Sequence, residues 1–415
     1  MKSSAKKITQ QVPNKPAVLD LFAGCGGLSE GLTRAGFDIR WANELWGPAA
    51  NTFRSSHPNT LLFQEDASLL LQRFERGDPG LPSKGEVDLI AGGPPCQGFS
   101  GFNRHRSPND PRNSMIDIFL GFVKHLSPSM VLMENVPGLL TLNEGKLAEL
   151  LLASFDELGY SSKVGLLQGG YYGLPQNRWR TFIIAVAKGI DLPSYPLPTH
   201  EFDRVNIHAS GSIKVAVDII KPSVHDNPID RLKRVTVGDT ISDLPSLGLV
   251  SPDGTGSYAS KPLSEYQKVL RQHSTFVRDH ICPKIEPVTL ERICAVPHKP
   301  GAGWLDLPPN LQPLNLKKYG DNRYPNRYGR LDWSGVFNTI LTRPHPYWSR
   351  VIHPIENRLL SVRECARAQS FSDSTVFSGT ISDKFKQIGN AVPPLLAEVV
   401  GKMIVASWAF GQNRS

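Results

Sequence analysis

Four short segments hold the residues that could do chemistry. Gly92-Gly93-Pro94-Pro95-Cys96-Gln97-Gly98-Phe99-Ser100 runs directly out of the apolar stretch VDLIAGG. Cys96 is therefore expected on a rigid loop at the carboxyl edge of a sheet, where open α/β sheets receive ligands. Such a cysteine is a thiolate nucleophile if its pKa is lowered; a small buried apolar cysteine is the other reading. Glu134-Asn135-Val136 closes the run SMVLMEN, and Glu134 follows Cys96 by 38 residues. Burial against an apolar wall would raise its pKa, and a proton donor beside a thiolate is the pair needed to attack a nitrogen heterocycle. Capping the next helix is its alternative role. In Gln176-Asn177-Arg178-Trp179-Arg180, ahead of TFIIAVA, alternation along an extended segment sends Gln176, Arg178 and Arg180 to one face. Two guanidinium groups there suit a carbonyl oxygen or a phosphate, or else a solvated edge.

The fourth segment is Gly24-Cys25-Gly26-Gly27, between AVLDLF and LSEGLTRAG. A glycine turn joining strand to helix lets a ligand approach the backbone and meet a helix N-terminus. Ser29 stands where the dinucleotide fingerprint has its third glycine, but Glu44 lies 20 residues after Gly24, where a carboxylate takes ribose hydroxyls. A nucleoside without a pyrophosphate fits better than NAD; a turn used only for packing stays open.

Positioning these segments requires strands at AVLDLF, FDIRWANE, VDLIAGG, SMVLMEN and TFIIAVA with helices between them. That order predicts a doubly wound α/β domain with a mostly parallel sheet. In the first helix Leu28, Leu32 and Ala35 share a face before Gly36 stops it. We expect a flexible tail over 1–16, a catalytic domain over 17–187, and an irregular second domain over 188–350. A last segment, 351–415, should return to pack on the first domain.

The 415 residues, 40% hydrophobic and 20% charged, suffice for two or three globular domains and exclude a disordered chain or a stapled mini-protein. The net charge is +8, and the stretch from Arg231 to Arg350 holds 17 Lys and Arg against 10 Asp and Glu, which favours a polyanionic partner for that module. Five scattered cysteines without a C-x-x-C pair argue against a disulfide framework or structural zinc and for a reducing compartment. The first residues lack an apolar signal core, and Glu398 and Lys402 interrupt LLAEVVGKMIVASWAF, so neither secretion nor membrane spanning is expected.

In chain order, DLFAGCGGLSEGL, GGPPCQGFS, ENVPG, QNRWR, RVIHPIENRLLSVRECARAQSF and QIGNAVPPLLA resemble six motifs of the cytosine-C5 DNA methyltransferases. The resemblance runs from about Val18 to Ala406. It implies the Rossmann-like fold of S-adenosyl-L-methionine-dependent methyltransferases with a smaller target-recognition domain. It also implies that cofactor, with Phe22 packing on the adenine, Glu44 on the ribose and Asp66 on the adenine amine. Gly24, Gly26, Gly27 and Leu28 of the turn, with Pro94, Asn390 and Val392, complete the implied cofactor set. By the same resemblance Cys96 adds to C6 of a flipped cytosine, Glu134 protonates N3, Arg180 binds the O2 carbonyl and Arg178 supports the loop. C5 then takes the methyl group, and loss of its proton with elimination of Cys96 gives 5-methylcytosine.

A flipped base leaves a gap in the duplex. The loop SGFNRHRSPNDPR is the candidate to fill it, with Phe102 as wedge, Arg104 and Arg106 on phosphate, and Gln97 and Ser100 also facing DNA; a plain surface loop is the alternative. In KKYGDNRYPNRYGR, Lys317, Lys318, Arg323, Arg327 and Arg330 interleave with Tyr319, Tyr324 and Tyr328, as in a DNA-facing segment or else a solvated basic face. RVTVGDTISDLP, FVRDHICP, GWLDLP, YGRLDWSG and YPLPTH resemble the target-recognition region of eukaryotic maintenance and plant chromomethylase-type enzymes, which hints at a CG-containing target. The expected partner is double-stranded DNA, met by a stand-alone monomer without metal or membrane. A cognate restriction endonuclease is expected if the chain is bacterial, with a cytoplasmic location, and a nuclear one if it is eukaryotic. A tRNA-methylating relative is the runner-up, but its Cys-Phe-Thr signature is missing: Cys282, Cys294 and Cys365 precede Pro, Ala and Ala. A non-catalytic DNA-binding relative would have no need of Cys96, Glu134 and Arg180 together.

Overall fold

The computed structural model describes residues 15–95, 114–203, 213, 215–221, 231–272, 274–318 and 324–412. Apolar strands alternate with amphipathic helices through its first half: β1 (Ala17–Leu21), α1 (Gly27–Ala35), β2 (Asp38–Asn43), α2 (Gly47–Ser56), β3 (Leu61–Phe63), α3 (Ala67–Arg76) and β4 (Leu89–Gly92). After them come α4 (Ser114–Leu126), β5 (Met130–Asn135), α5 (Lys146–Glu157), β6 (Tyr160–Gln168) and β7 (Trp179–Ala187). With β8 (Asp218–Ile219) these strands form one eight-stranded sheet in the order β3-β2-β1-β4-β5-β7-β6-β8. All five expected strands are present. The sheet is parallel except at β7, which runs antiparallel to both β5 and β6.

β1, β4 and β5 are fully buried, as central strands covered on both faces must be. Their carboxyl ends reverse strand order between β1 and β4, which opens a crevice at that edge. β8 belongs to the stretch expected to stand apart from the first domain, yet it hydrogen-bonds to β6.

The second half is irregular, with α6 (Val237–Ile241), α7 (Glu265–Arg271), α8 (Pro287–Ala295), α9 (Leu314–Lys317), β9 (Gly329–Arg330) and β10 (Arg350–Ile352). One apolar cluster there joins Val237, Ile241, Phe337 and Ile340 to Cys365, Phe385 and Ile388 of the C-terminal segment. A separate cluster gathers Ile293, Trp304, Leu316, Tyr328 and Ile352. The chain closes with α10 (Val362–Ala368), α11 (Ile381–Asn390) and α12 (Pro394–Gln412). α10 and α11 begin with complete capping boxes, Ser361/Glu364 and Thr380/Asp383.

The last helix packs on the first. Leu396, Ala397, Val400 and Ile404 of α12 join the central core with Leu28, Leu32 and Ala35 of α1. The crossing is close because Gly31 faces it: a Cβ there would lie 2.3 Å from Pro394 O and 2.4 Å from Ala397 Cβ. Gly31→Ala is therefore expected to lower stability by about 1–3 kcal/mol through overpacking, read as an earlier urea midpoint.

Candidate active site

The turn after β1 is shaped by its backbone. Phe22 and Gly24 have φ of 57° and 58°, and Gly26 has φ of 91°. Glu44, just past β2, fastens that turn: its carboxylate accepts from Gly24 N at 2.9 Å and Trp46 N at 2.7 Å. Burial pushes the Glu44 carboxyl above the usual range, against the opposing effect of those two N–H groups. Asp66 caps α3 by accepting from Ser68 N at 2.8 Å. Bonds from Ser68 hold its carboxyl low.

Beside these groups lies a cavity of about 560 Å³. Phe22, Gly24, Gly27, Leu28, Glu44, Asp66, Pro94, Asn390 and Val392 all line it, as do Glu134 and Arg180. The nucleoside-type turn and the acid–arginine pair thus share one chamber. Gly26 does not line it. Its α-carbon packs on His57, whose ring a Cβ would meet at 2.6 Å, so Gly26 shapes the turn from behind.

Strand register accounts for the acid–arginine pair. Glu134 on β5 opposes Phe182 on β7, and Arg180, two residues before Phe182, falls on the same face. Arg180 Nε sits 2.8 Å from Glu134 Oε1, with both side chains about 10% exposed. Burial raises the Glu134 carboxyl, outweighing Arg180 and Arg178, which act to lower it. Asn135 steadies the neighbouring loop by donating to Pro94 O at 3.0 Å. Cys96, Gln97, Ser100, Phe102, Arg104 and Arg106 lie outside the described residues; Pro95, immediately before Cys96, lines the chamber.

Arg178 differs from the expectation of two guanidinium groups side by side for a ligand. It is wholly buried and donates to Ile340 O at 3.2 Å, Gly389 O at 3.0 Å and Ala391 O at 2.9 Å. Arg178 itself does not line the chamber, but Gly389 and Ala391 do, so it positions the wall that carries Asn390. Gln176 continues this seam, donating to Ala368 O at 2.6 Å and Gln369 Oε1 at 2.8 Å.

Sequence reasoning missed several lining residues: Asp20, Asn43, Trp46, Asn135 and Lys386. Asn43 and Asn135 adjoin residues that were singled out, and Lys386 precedes QIGN, with its Nζ 4.3 Å from the Trp46 ring centroid. Asp20 is the most informative. Its Oδ2 accepts from Ser29 Oγ at 2.6 Å, while Oδ1 is buried without a hydrogen-bond partner. Burial, assisted by Glu44, pushes its pKa up to about 7. A carboxylate oxygen left unsatisfied in a cavity wall suits a ligand that brings positive charge.

Among the expected DNA contacts, Lys317 and Lys318 are exposed at the end of α9, and Arg323 lies outside the described residues. Arg330 is 1% exposed and faces inward, donating to the carbonyls of Ile293, Val296, His353 and Glu356 and to Asn357 Oδ1. Its guanidinium is a structural hub, buried where the sequence suggested an exposed cation. Arg327 lies against three aromatic rings.

A family model described as C-5 cytosine-specific DNA methylase matches residues 17–406. The chain belongs to that family. It is 37% identical to DNA (cytosine-5)-methyltransferase 1A of Oryza sativa subsp. japonica, over 95% of this chain and 28% of that protein. It is 36% identical to DNA (cytosine-5)-methyltransferase 1 of Mus musculus, over 93% of this chain and 28% of that protein. The chain thus spans about 28% of the length of these curated relatives. Among solved structures, a candidate DNA modification methyltransferase encoded within an E. coli prophage superposes with a TM-score of 0.67 at 25% identity, over 95% of this chain and all of that one. A variant of Spodoptera frugiperda DNMT2 shares the fold at a TM-score of 0.54 and 15% identity, over 94% of this chain and all of that one.

Two variants separate scaffold from site. Arg330→Ala is expected to cost about 3 kcal/mol or more by leaving buried carbonyls unpaired, measured by chemical denaturation, with cofactor affinity in the remaining folded protein unchanged. Burial pushes Asp20 in the folded protein up to about 7, above the usual carboxylate range. The folded state then holds an extra proton across that window, and stability falls as pH rises through it. Asp20→Asn should raise the melting temperature of the ligand-free protein more at pH 8 than at pH 5.

Proposed function

We propose that this chain transfers a methyl group from S-adenosyl-L-methionine to C5 of cytosine in double-stranded DNA. The observation that supports this reading best is the single chamber reaching from Glu44 and Asp66 at one end to Glu134 and Arg180 at the other. The residues at the first end suit the donor. Phe22 offers an apolar face to an adenine, Asp66 an acceptor for its amine, and Glu44 a carboxylate for ribose hydroxyls. The unsatisfied oxygen of Asp20 suits a cationic amino-acid portion. When bound, the donor supplies an electrophilic methyl carbon on a sulfonium.

The other end prepares the base. The Cys96 thiolate adds to C6 of a cytosine taken out of the stack, and Glu134 gives its proton to N3, so the electron pair gained by the ring accumulates at C5. Arg180, held beside Glu134, donates to the O2 carbonyl. With the donor bound, C5 would bond the methyl carbon as its bond to sulfur breaks and leaves a neutral thioether; the C5 proton then passes to solvent, and the electron pair of that C–H bond expels the Cys96 thiolate. A buried, elevated Glu134 is suited to carry that proton near neutral pH. Arg178 acts at a distance by holding the Asn390 wall.

The target-recognition role falls to 188–350, and the curated relatives fit the resemblance of that stretch to eukaryotic enzymes. We place the protein inside the cell with its DNA, acting as a monomer. A companion endonuclease belongs to this reading only for a bacterial source.

Bisulfite sequencing of plasmid from a methylation-free host tests the reading. Wild type should protect cytosines at defined sites and Cys96→Ala none; protection by both variants, or by neither when both are soluble, would sink it. Glu134→Gln should lower the methylation rate by about 10²-fold or more. It should also abolish the fall in wild-type rate on the alkaline side, where the elevated carboxyl ionises.

A further inference from the structure

The segments leading into β9 and β10 bring four side chains together at the surface. The Arg327 guanidinium carbon lies 3.9 Å from the Tyr324 ring centroid, 4.4 Å from that of Tyr347 and 5.2 Å from that of Trp348. The rings of Tyr347 and Trp348 meet edge to face at 5.0 Å. Tyr328 N donates to Pro346 O at 2.6 Å, which fixes the two segments against each other. Tyr324 and Tyr347 rest on the neighbouring apolar cluster, whereas Trp348 is 59% exposed. Among the described residues no carboxylate forms an ion pair with Arg327, so aromatic faces hold this guanidinium.

The cluster follows closely in sequence on the segment that holds Arg178. Ile340 O accepts from Arg178, and Phe337 exchanges backbone hydrogen bonds with Pro175 and Asn177. Tyr347 follows Ile340 by seven residues, which span at most about 25 Å when fully extended. One turn of duplex measures about 34 Å. A DNA whose cytosine occupies the chamber therefore has flanking base pairs within reach of this cluster.

A tetrahedral phosphate accepts an arginine fork from many directions, whereas a base edge accepts it only in the plane of the base. Guanine presents O6 and N7 side by side, and the arginine fork matches them with two parallel donors when its plane is fixed. We infer that Arg327, held flat by Tyr324, Tyr347 and Trp348, reads a guanine flanking the target cytosine, with Trp348 making the apolar contact beside it. This rests on the DNA-methylating function proposed above. It also separates Arg327 from Arg330, which the same basic run sends into the interior.

The test is methylation of a duplex library with randomised flanks, followed by bisulfite sequencing, for wild type, Arg327→Lys, Arg327→Ala and Trp348→Ala. S-adenosyl-L-methionine affinity and melting temperature, unchanged in each variant, certify the fold. Arg327→Lys keeps the charge but loses the fork, and it should reduce discrimination at one guanine position about tenfold or more. Trp348→Ala should weaken DNA binding across sequences and relax the same position. A wild-type sequence profile in Arg327→Lys overturns the inference. So does an Arg327→Ala variant that weakens all duplexes equally and lowers the salt slope by about one, the mark of a phosphate contact. If wild type methylates no duplex, the DNA function falls as well; if only the variants behave like wild type, this inference alone falls.

Discussion

The buried guanidinium of Arg178 is the constraint on which the arrangement depends. Carbonyls from Ile340, Gly389 and Ala391 converge on it, and each comes from a segment with no strand in the central sheet. A charge so far from water is tolerable only when hydrogen bonds replace its hydration. Those bonds place three otherwise independent pieces: the strand that carries Arg180, the stretch that leads to the Arg327 cluster, and the wall that carries Asn390. Arg367 does comparable work deeper in the second half. It bridges Asp243 and Asp373 in full burial, so α10 grips the α6 region.

The electrostatics of the chamber are graded along its length. At the glycine turn, burial raises both Asp20 and Glu44; Lys386 acts to lower Glu44 but does not outweigh burial. That end is under-compensated for positive charge. At the far end Arg180 stands against Glu134, and burial still keeps that carboxyl high. One low-dielectric cavity thereby favours a cation at one end and a proton on a carboxyl at the other, with the difference set by which strand ends supply arginines.

Much of this was legible in the chain. The long apolar runs announced β1, β4, β5 and β7 because strands covered on both faces have no polar alternation to obscure them, whereas β2 showed itself by the alternation of Ile39 and Trp41 with Asp38 and Arg40. β3, three residues long, and β8, two residues long, carry too little pattern to register. β6 opens with Ser161, Ser162 and Lys163, which hide an otherwise apolar strand. The site was legible where chemistry dictates residue type, as at Glu44, Glu134 and Arg180. It was misleading where one residue type serves two ends: Arg330 read as a ligand-facing cation, and so did Arg178 by spacing though not by the family resemblance, yet both cap backbone carbonyls inside the protein. Composition cannot separate those uses, because a guanidinium satisfies carbonyls and phosphates with the same donors.

The return of α12 to α1 bears on the order in which the protein matures. Cys25 Sγ contacts Gln387 O at 3.7 Å across 362 positions of sequence, and both residues line the chamber. A nascent chain therefore carries its glycine turn, Glu44 and Glu134 long before the wall that completes them has been synthesised. At translation rates of roughly 5–20 residues per second, tens of seconds separate the two. Loop closure over such a span is slow and entropically costly. A ribosome-bound fragment ending before α11 lacks the wall of Gln387, Asn390 and Val392 that completes the chamber.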